Sequence, residues 1–197
     1  METIRLGTWI DAPVERCFLL SLSVDLHVAK TRSTQDKTVA GVTEGTIGEG
    51  DMLTFKGLHF GERWRYTSLI ETLRPHSYYR DVMISGPFQH FEHEHHFAPM
   101  DDGTRMRDEI RFSASGGFLG QLRARMFLRK RLKAFLMERN TMIKRLAESE
   151  DWHKYLKSGG EARAAAPAKG EAAMRRDGNA LLRRGSQRIV AARPPTG

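Results

Sequence analysis

Between residues 37 and 112 hydrophobic and polar positions alternate with a period of two, and on either side of that stretch they recur at helical spacing. Ile4, Leu6, Thr8 and Ile10 alternate with polar partners, which predicts a first strand. Asp11 then stands where a helix cap belongs, with Pro13 in the first turn, where its missing N–H costs nothing. Val14, Cys17, Phe18 and Ser21 continue at helical spacing, and Val24 to Ala29 forms a second short helical piece. Strands follow at Lys37–Val42, Asp51–Phe60, Glu62–Leu73 and Tyr78–Ser85, with Gly45, Gly48, Gly50, Gly61 and Gly86-Pro87 marking turns. Trp64, Tyr66, Ser68 and Ile70 fall on one side of the longest of these strands. Short links between successive strands predict an antiparallel meander. Phe118 to about Glu148 reads as one helix of about 45 Å. Its apolar stripe is Leu122, Met126, Leu128, Leu132, Phe135, Leu136, Ile143 and Leu146.

The hairpin before that helix carries the most chemistry. In Phe88-Gln89-His90-Phe91-Glu92-His93-Glu94-His95-His96-Phe97, alternation puts Phe91, His93, His95 and Phe97 on one face. His90, Glu92, Glu94 and His96 take the other, which reads as a solvated face paired with Arg105, Arg107 and Arg111 of the next strand. After the turn at Met100-Asp101-Asp102-Gly103, residues Thr104, Met106, Asp108, Ile110 and Phe112 share a face. The hairpin thus has a mostly apolar side carrying two imidazoles and a carboxylate, a surface better suited to a cavity wall than to a solid core. The expected lining is Trp64, Tyr66, Phe91, His93, His95, Phe97, Met106, Asp108 and Phe112.

Spacing along a strand sets His93 and His95 about 6–7 Å apart. A zinc site needs a third protein ligand, which Asp108 could supply, but the simpler reading is a set of cavity-wall polar groups, so no metal and no cofactor is expected. General acid–base work by His93, His95 and Asp108 is chemically open, since imidazole titrates near neutral pH and a carboxylate can fix its tautomer.

Charge divides the chain. Residues 1–116 carry 13 Lys/Arg against 17 Asp/Glu, residues 117–149 carry 9 against 2, and residues 150–197 carry 10 against 5. The basicity therefore lies in one helix and one tail, which predicts no more than a weak attraction to anionic membrane surfaces. No aromatic residue follows Tyr155 and no base-reading motif is present, so specific nucleic-acid binding is not expected. The sequence divides into a domain at 1–149 and a basic tail at 150–197 too poor in apolar residues to order by itself. Trp152, Tyr155 and Leu156 could briefly extend the helix. The single cysteine, Cys17, lies in an apolar helical pattern and reads as a buried, inert thiol. With no internal disulfide and no basic-then-apolar leader, a cytoplasmic location is expected.

The order of strand, two short helices, antiparallel strands and long helix resembles the α+β helix-grip fold of the START-like, or SRPBCC, superfamily. Trp9-Ile10-Asp11-Ala12-Pro13-Val14-Glu15, Asp81 through Gly86-Pro87-Phe88, His93-Glu94-His95-His96-Phe97, Gly103-Thr104, Asp108-Glu109 and Leu119-Gly120 resemble its bacterial cyclase/dehydrase-like and coenzyme Q-binding-protein-like branch. The resemblance spans about residues 3–148, and its motifs are structural ones. It implies a curved antiparallel sheet of about six to seven strands around the last helix, enclosing a small hydrophobic ligand such as a lipid, quinone or polyketide-like molecule. The alternatives are a cyclase/dehydratase enzyme using His93, His95 and Asp108, or an interaction module acting through the basic helix and tail.

Overall fold

The computed structural model describes residues 1–30, 37–59, 62–114 and 118–156. The chain runs β1 (Glu2–Ile10), α1 (Val14–Leu22), α2 (Val24–Lys30), β2 (Lys37–Gly41), β3 (Met52–His59), β4 (Glu62–Arg74), β5 (Tyr78–Ser85), β6 (Phe88–Met100), β7 (Gly103–Ala114) and α3 (Phe118–Ala147), closed by a 3-10 helix at Glu150–Lys154. The strands form one seven-stranded sheet in the order β1-β7-β6-β5-β4-β3-β2, every pairing given being antiparallel. This is the expected α+β helix-grip architecture. Register shifts in the β2–β3, β4–β5 and β6–β7 pairs, at Thr38/Ala40, Thr67/Ser68, Ile70/Thr72 and Phe88/His90, mark bulges, which bend a sheet and increase its twist.

Alternation worked out as read in β7, where Thr104, Met106, Asp108, Ile110 and Phe112 are all buried. One core cluster joins Phe18, Leu20 and Leu22 of α1 to Ile10, Tyr79, Phe97 and Met106 of the sheet and to Ile143, Leu146 and Ala147 of α3. A second joins Ile4, Ile110 and Phe112 to Leu132 and Leu136. Trp152, Tyr155 and Leu156 pack against the first cluster from the 3-10 helix and its end, so the packed chain runs through Leu156. Of the stripe read on α3, Leu132, Leu136, Ile143 and Leu146 are buried and Leu128 and Phe135 half-buried. The turn at Gly61, the side chains of Leu122 and Met126, and the tail beyond residue 156 lie outside what the structure describes.

Two local expectations are corrected. Asp11 does not cap α1: the cap position is Pro13, with no side-chain cap, and the Asp11 backbone N–H donates to Glu148 Oε1 at 2.8 Å. That bond ties the start of α1 to the end of α3. On the outer face, Arg111 makes the ion pairs, at 2.9 Å to Glu92, 3.4 Å to Glu94 and 2.8 Å to Glu109, while Arg105 and Arg107 are exposed. Cys17 is buried, which pushes its thiol pKa up, as befits an inert side chain.

Glu109 yields a pH prediction. Hydrogen bonds from Arg5 and Arg111 outweigh its partial burial and hold its pKa at about 2, below the ordinary 4.5. Because the folded value is depressed, the carboxylate stabilises the fold above about pH 4.5, and this contribution fades as pH falls towards 2. Glu109→Gln should melt below wild type near neutral pH, and the gap should close in acid. An equal gap at both ends of the range would refute the assignment.

Candidate functional site

The inward face of the sheet and the inner side of α3 enclose a cavity of about 560 Å³. Its walls are mainly apolar: Val24, Leu53, Phe55, Trp64, Tyr66 and Phe91 contribute, and α3 adds Leu132, Phe135 and Leu136. The rings are grouped. Phe55 stacks on Tyr66 at 5.0 Å between centroids, Trp64 meets Phe88 edge-on at 5.8 Å, and Phe88 lies 5.1 Å from Phe91.

A patch of polar groups placed by strand register interrupts this wall. Across the sheet, Tyr79 is opposite His95, and His95 is opposite Asp108. One row over, Asp81 is opposite His93. All five residues sit at inward positions of three adjacent strands. His93 Nε2 and Asp108 Oδ1 are 3.0 Å apart, and His95 Nε2 and Asp81 Oδ1 are 3.1 Å apart. His95 Nδ1 lies 2.8 Å from Asp108 Oδ1 but is not aligned to donate to it, and it has no other partner. The two imidazoles approach to 3.7 Å between centroids, far closer than the spacing of a straight strand gives, because both lean towards Asp108. Tyr79 stacks on the far side of His95 at 4.0 Å.

Helix α3 closes the network from the opposite side. Asn140 Nδ2 donates to Asp108 Oδ2 at 2.6 Å and to Thr8 Oγ1 at 3.1 Å. Arg139 donates to the Tyr79 hydroxyl at 2.8 Å and to the Ser21 carbonyl at 3.2 Å, with its guanidinium 3.5 Å from Asp108 Oδ1. The Ser68 hydroxyl donates to Asp81 Oδ2 at 3.1 Å. Asp108 is fully buried, and His95 is 2% exposed. Burial alone would raise the pKa of Asp108, but the hydrogen bond from His93 and the nearby His95 hold it well below the usual carboxylate range. Burial likewise works against Asp81, whose pKa is nevertheless lowered by its hydrogen bond with His95 and by His93. Burial, reinforced by the neighbouring His95, pushes His93 down to about 4, so its ring is neutral at physiological pH. Tyr79 is pushed up to about 12 by burial, against the pull of Arg139. Two carboxylates and one guanidinium leave one negative charge uncompensated before either imidazole gains a proton.

Of the nine expected lining residues, Trp64, Tyr66, Phe91, His93 and His95 line the cavity. Asp108 stands behind the two imidazoles rather than on the wall. Phe97, Met106 and Phe112 do not line it and are core residues instead. Phe97 packs on Phe18 at 5.4 Å, Met106 sits in the same cluster, and Phe112 is covered by Leu132 and Leu136 of α3. Sequence reading missed Tyr79 and Asp81, which share the inward face of β5, and Arg139 and Asn140, hidden in a helix dominated by exposed cations. A carboxylate alternating with Tyr79 and Met83 on a half-apolar strand was the available signal for Asp81.

No family model matches the chain, and no curated protein sequence matches it. Solved structures do. The Zhui aromatase/cyclase from Streptomyces sp. R1128 superposes with a TM-score of 0.62 at 14% identity, covering 81% of this chain and 98% of that one. A START superfamily protein from Mycobacterium smegmatis gives 0.56 at 10% identity, over 74% of this chain and 97% of that one. The di-domain aromatase/cyclase BexL, of the BE-7585A biosynthetic pathway, gives 0.57 at 16% identity, over 76% of this chain and 50% of that one. Strand order, the helix against the sheet and these likenesses together show that the chain has the START-like, SRPBCC-type helix-grip fold.

Proposed function

We propose that the chain binds a small, mainly hydrophobic molecule in this cavity and holds one oxygen-bearing end of it against Tyr79, Asp81, His93 and His95. The observation that carries the reading is a hollow of about 560 Å³ whose mainly apolar wall carries a patch of hydrogen-bonding groups on β5, β6 and α3. That is the usual make-up of a small-molecule site, where apolar burial supplies affinity and a few polar groups supply orientation. Each CH₂ taken from water contributes about 0.8 kcal/mol, so a lipid, quinone or polyketide-like skeleton suits the wall. The lone, buried Cys17 accords with a reducing, cytoplasmic setting. Among the described residues no helix is long and apolar enough to cross a membrane.

Trp64 lines the cavity, so its fluorescence should respond to an occupant. Titration with a fatty acid, a short-chain quinone and an aromatic polyketide analogue should give saturable quenching by at least one class. Leu136→Trp, at a buried cavity-lining position on α3, should lower that affinity about tenfold or more by filling space an occupant needs. Failure of all three classes to saturate would overturn the reading.

A second reading, acid–base catalysis of a cyclisation or dehydration, is favoured by the ionisable groups gathered here. Buried His93, His95 and Asp108 with half-buried Asp81 beside them exceed what an orienting anchor needs, and a neutral His93 backed by Asp108 is in the form a general base requires. The names of Zhui and BexL point the same way. Under this reading His93→Ala keeps binding of a cyclisable polyketone but abolishes its loss of water, read by mass spectrometry; loss of binding alone favours a carrier.

A further inference from the structure

We propose that Asp81, His93 and His95 form a two-histidine, one-carboxylate site for a divalent first-row transition metal ion, with Asp108 backing both imidazoles. One donor atom from each of the three lies within 4.8 Å of the others, and all three residues border the cavity. His95 Nε2 and His93 Nδ1 stand 3.1 and 3.9 Å from Asp81 Oδ1. Donors held about 2.0–2.2 Å from a common zinc ion at near-tetrahedral angles are themselves about 3.3–3.5 Å apart, so the three need only small shifts to share one. The ring nitrogens on the other side both face Asp108, at 3.0 Å from His93 Nε2 and 2.8 Å from His95 Nδ1. A carboxylate behind a metal-bound imidazole is the common means of fixing its tautomer and orientation. Here one carboxylate serves two rings and is itself held by Asn140.

The unpartnered nitrogen of His95 is the independent sign. A neutral imidazole carries one proton, yet His95 has a carboxylate oxygen within 3.1 Å of each nitrogen. With the proton on Nε2, towards Asp81, the Nδ1 lone pair faces the Asp108 carboxylate, two acceptors 2.8 Å apart. With the proton on Nδ1, the bare Nε2 faces Asp81. A metal ion between Nε2 and Asp81 takes the Nε2 lone pair and fixes the proton on Nδ1, the side facing Asp108, where a small turn of the ring brings the N–H into line with the carboxylate. The charge agrees. A divalent ion turns the site's one uncompensated negative charge into one positive charge, an electrophile facing the cavity on an open coordination position. The expectation of no metal counted only His93, His95 and Asp108; β5 brings Asp81 as the third ligand and frees Asp108 to support the rings.

The inference does not rest on the hydrophobic-ligand reading, and its test uses no hydrophobic ligand. Tag-free full-length chain, stripped with chelator, is titrated with Zn²⁺ by calorimetry. One equivalent should bind. His93→Ala and His95→Ala should each weaken binding at least about 100-fold, and Asp108→Asn about 10–100-fold without changing the stoichiometry. The outer-face double variant His90→Ala/His96→Ala should bind as wild type does. Because the inner variants could lose the fold, the wild-type chain is also read by ¹⁵N NMR of its imidazoles. Zn²⁺ should move the ring nitrogens of His93 and His95. Absence of a saturable equivalent, or shifts confined to the exposed histidines, would overturn the site.

Discussion

Replacing Asp108 by alanine is expected to lower the unfolding free energy by about 3–5 kcal/mol, the cost of removing one partner from a fully buried charge network. The carboxylate is 0% exposed and receives Asn140 Nδ2 at 2.6 Å and His93 Nε2 at 3.0 Å, with the Arg139 guanidinium 3.5 Å away. Its loss leaves a buried donor on Asn140, another on His93 and a cation held by the neutral Tyr79 hydroxyl, the Ser21 carbonyl and Asn140 Oδ1, with no carboxylate among the described residues at hydrogen-bond range. Asp108→Asn should cost less, because the amide keeps one acceptor oxygen and nearly the same volume, though it turns a donor towards groups that also donate. Urea denaturation of the two variants and wild type, with m-values compared, makes the measurement. A loss under about 1 kcal/mol for Asp108→Ala would mean that the network is not what the distances say. The penalty is paired with a role: a residue that joins β6, β7 and α3 fixes where His93 and His95 stand in the cavity.

How the site arose from the sequence can be followed strand by strand. Period-two alternation was enough to put Asp108 inside with Met106, Ile110 and Phe112, and to put Trp64, Tyr66, Ser68 and Ile70 on one side, because a half-buried strand has only two faces. The run of short-linked strands fixed the meander, and the long amphipathic helix had one apolar side to bury. What alternation could not tell was which inward positions meet a helix and which meet a hollow. That depends on sheet curvature and on where α3 crosses, both set by packing between elements distant in sequence. Phe112 and Phe91 stand directly opposite each other on β7 and β6, yet Phe112 is covered by Leu132 and Leu136 while Phe91 borders the cavity. Asp81 was illegible for a related reason: only the β5–β6 register, Asp81 opposite His93, brings it to the imidazoles. Arg139 was masked by composition. Among nine cations in residues 117–149 nothing in the sequence marks Arg139 as a buried one.

That contrast sets the second large effect, in which two facing phenylalanines should fail in opposite ways. Phe112→Ala should cost about 3–5 kcal/mol of stability, the range for deleting a buried ring whose surroundings cannot collapse. Its side chain is fully buried, meets Phe88 edge-on at 5.9 Å and lies beneath α3, so the hole opens inside packed core. A folded fraction of this variant should still bind a cavity ligand with wild-type affinity. Phe91→Ala should cost only about 1 kcal/mol, since the ring is half-buried and truncation enlarges a space that already exists. It should instead weaken ligand binding about tenfold, the 1.4 kcal/mol that matches two CH₂ groups' worth of lost contact. Denaturant midpoints and Trp64 quenching, read on both variants, separate the two effects, and Trp64 itself stays unchanged as the reporter. Had the cavity wall run as the sequence alone implied, both substitutions would lower affinity and neither would cost several kcal/mol; that pattern would show that Phe112 faces the hollow and that α3 sits further from β7 than the core contacts place it.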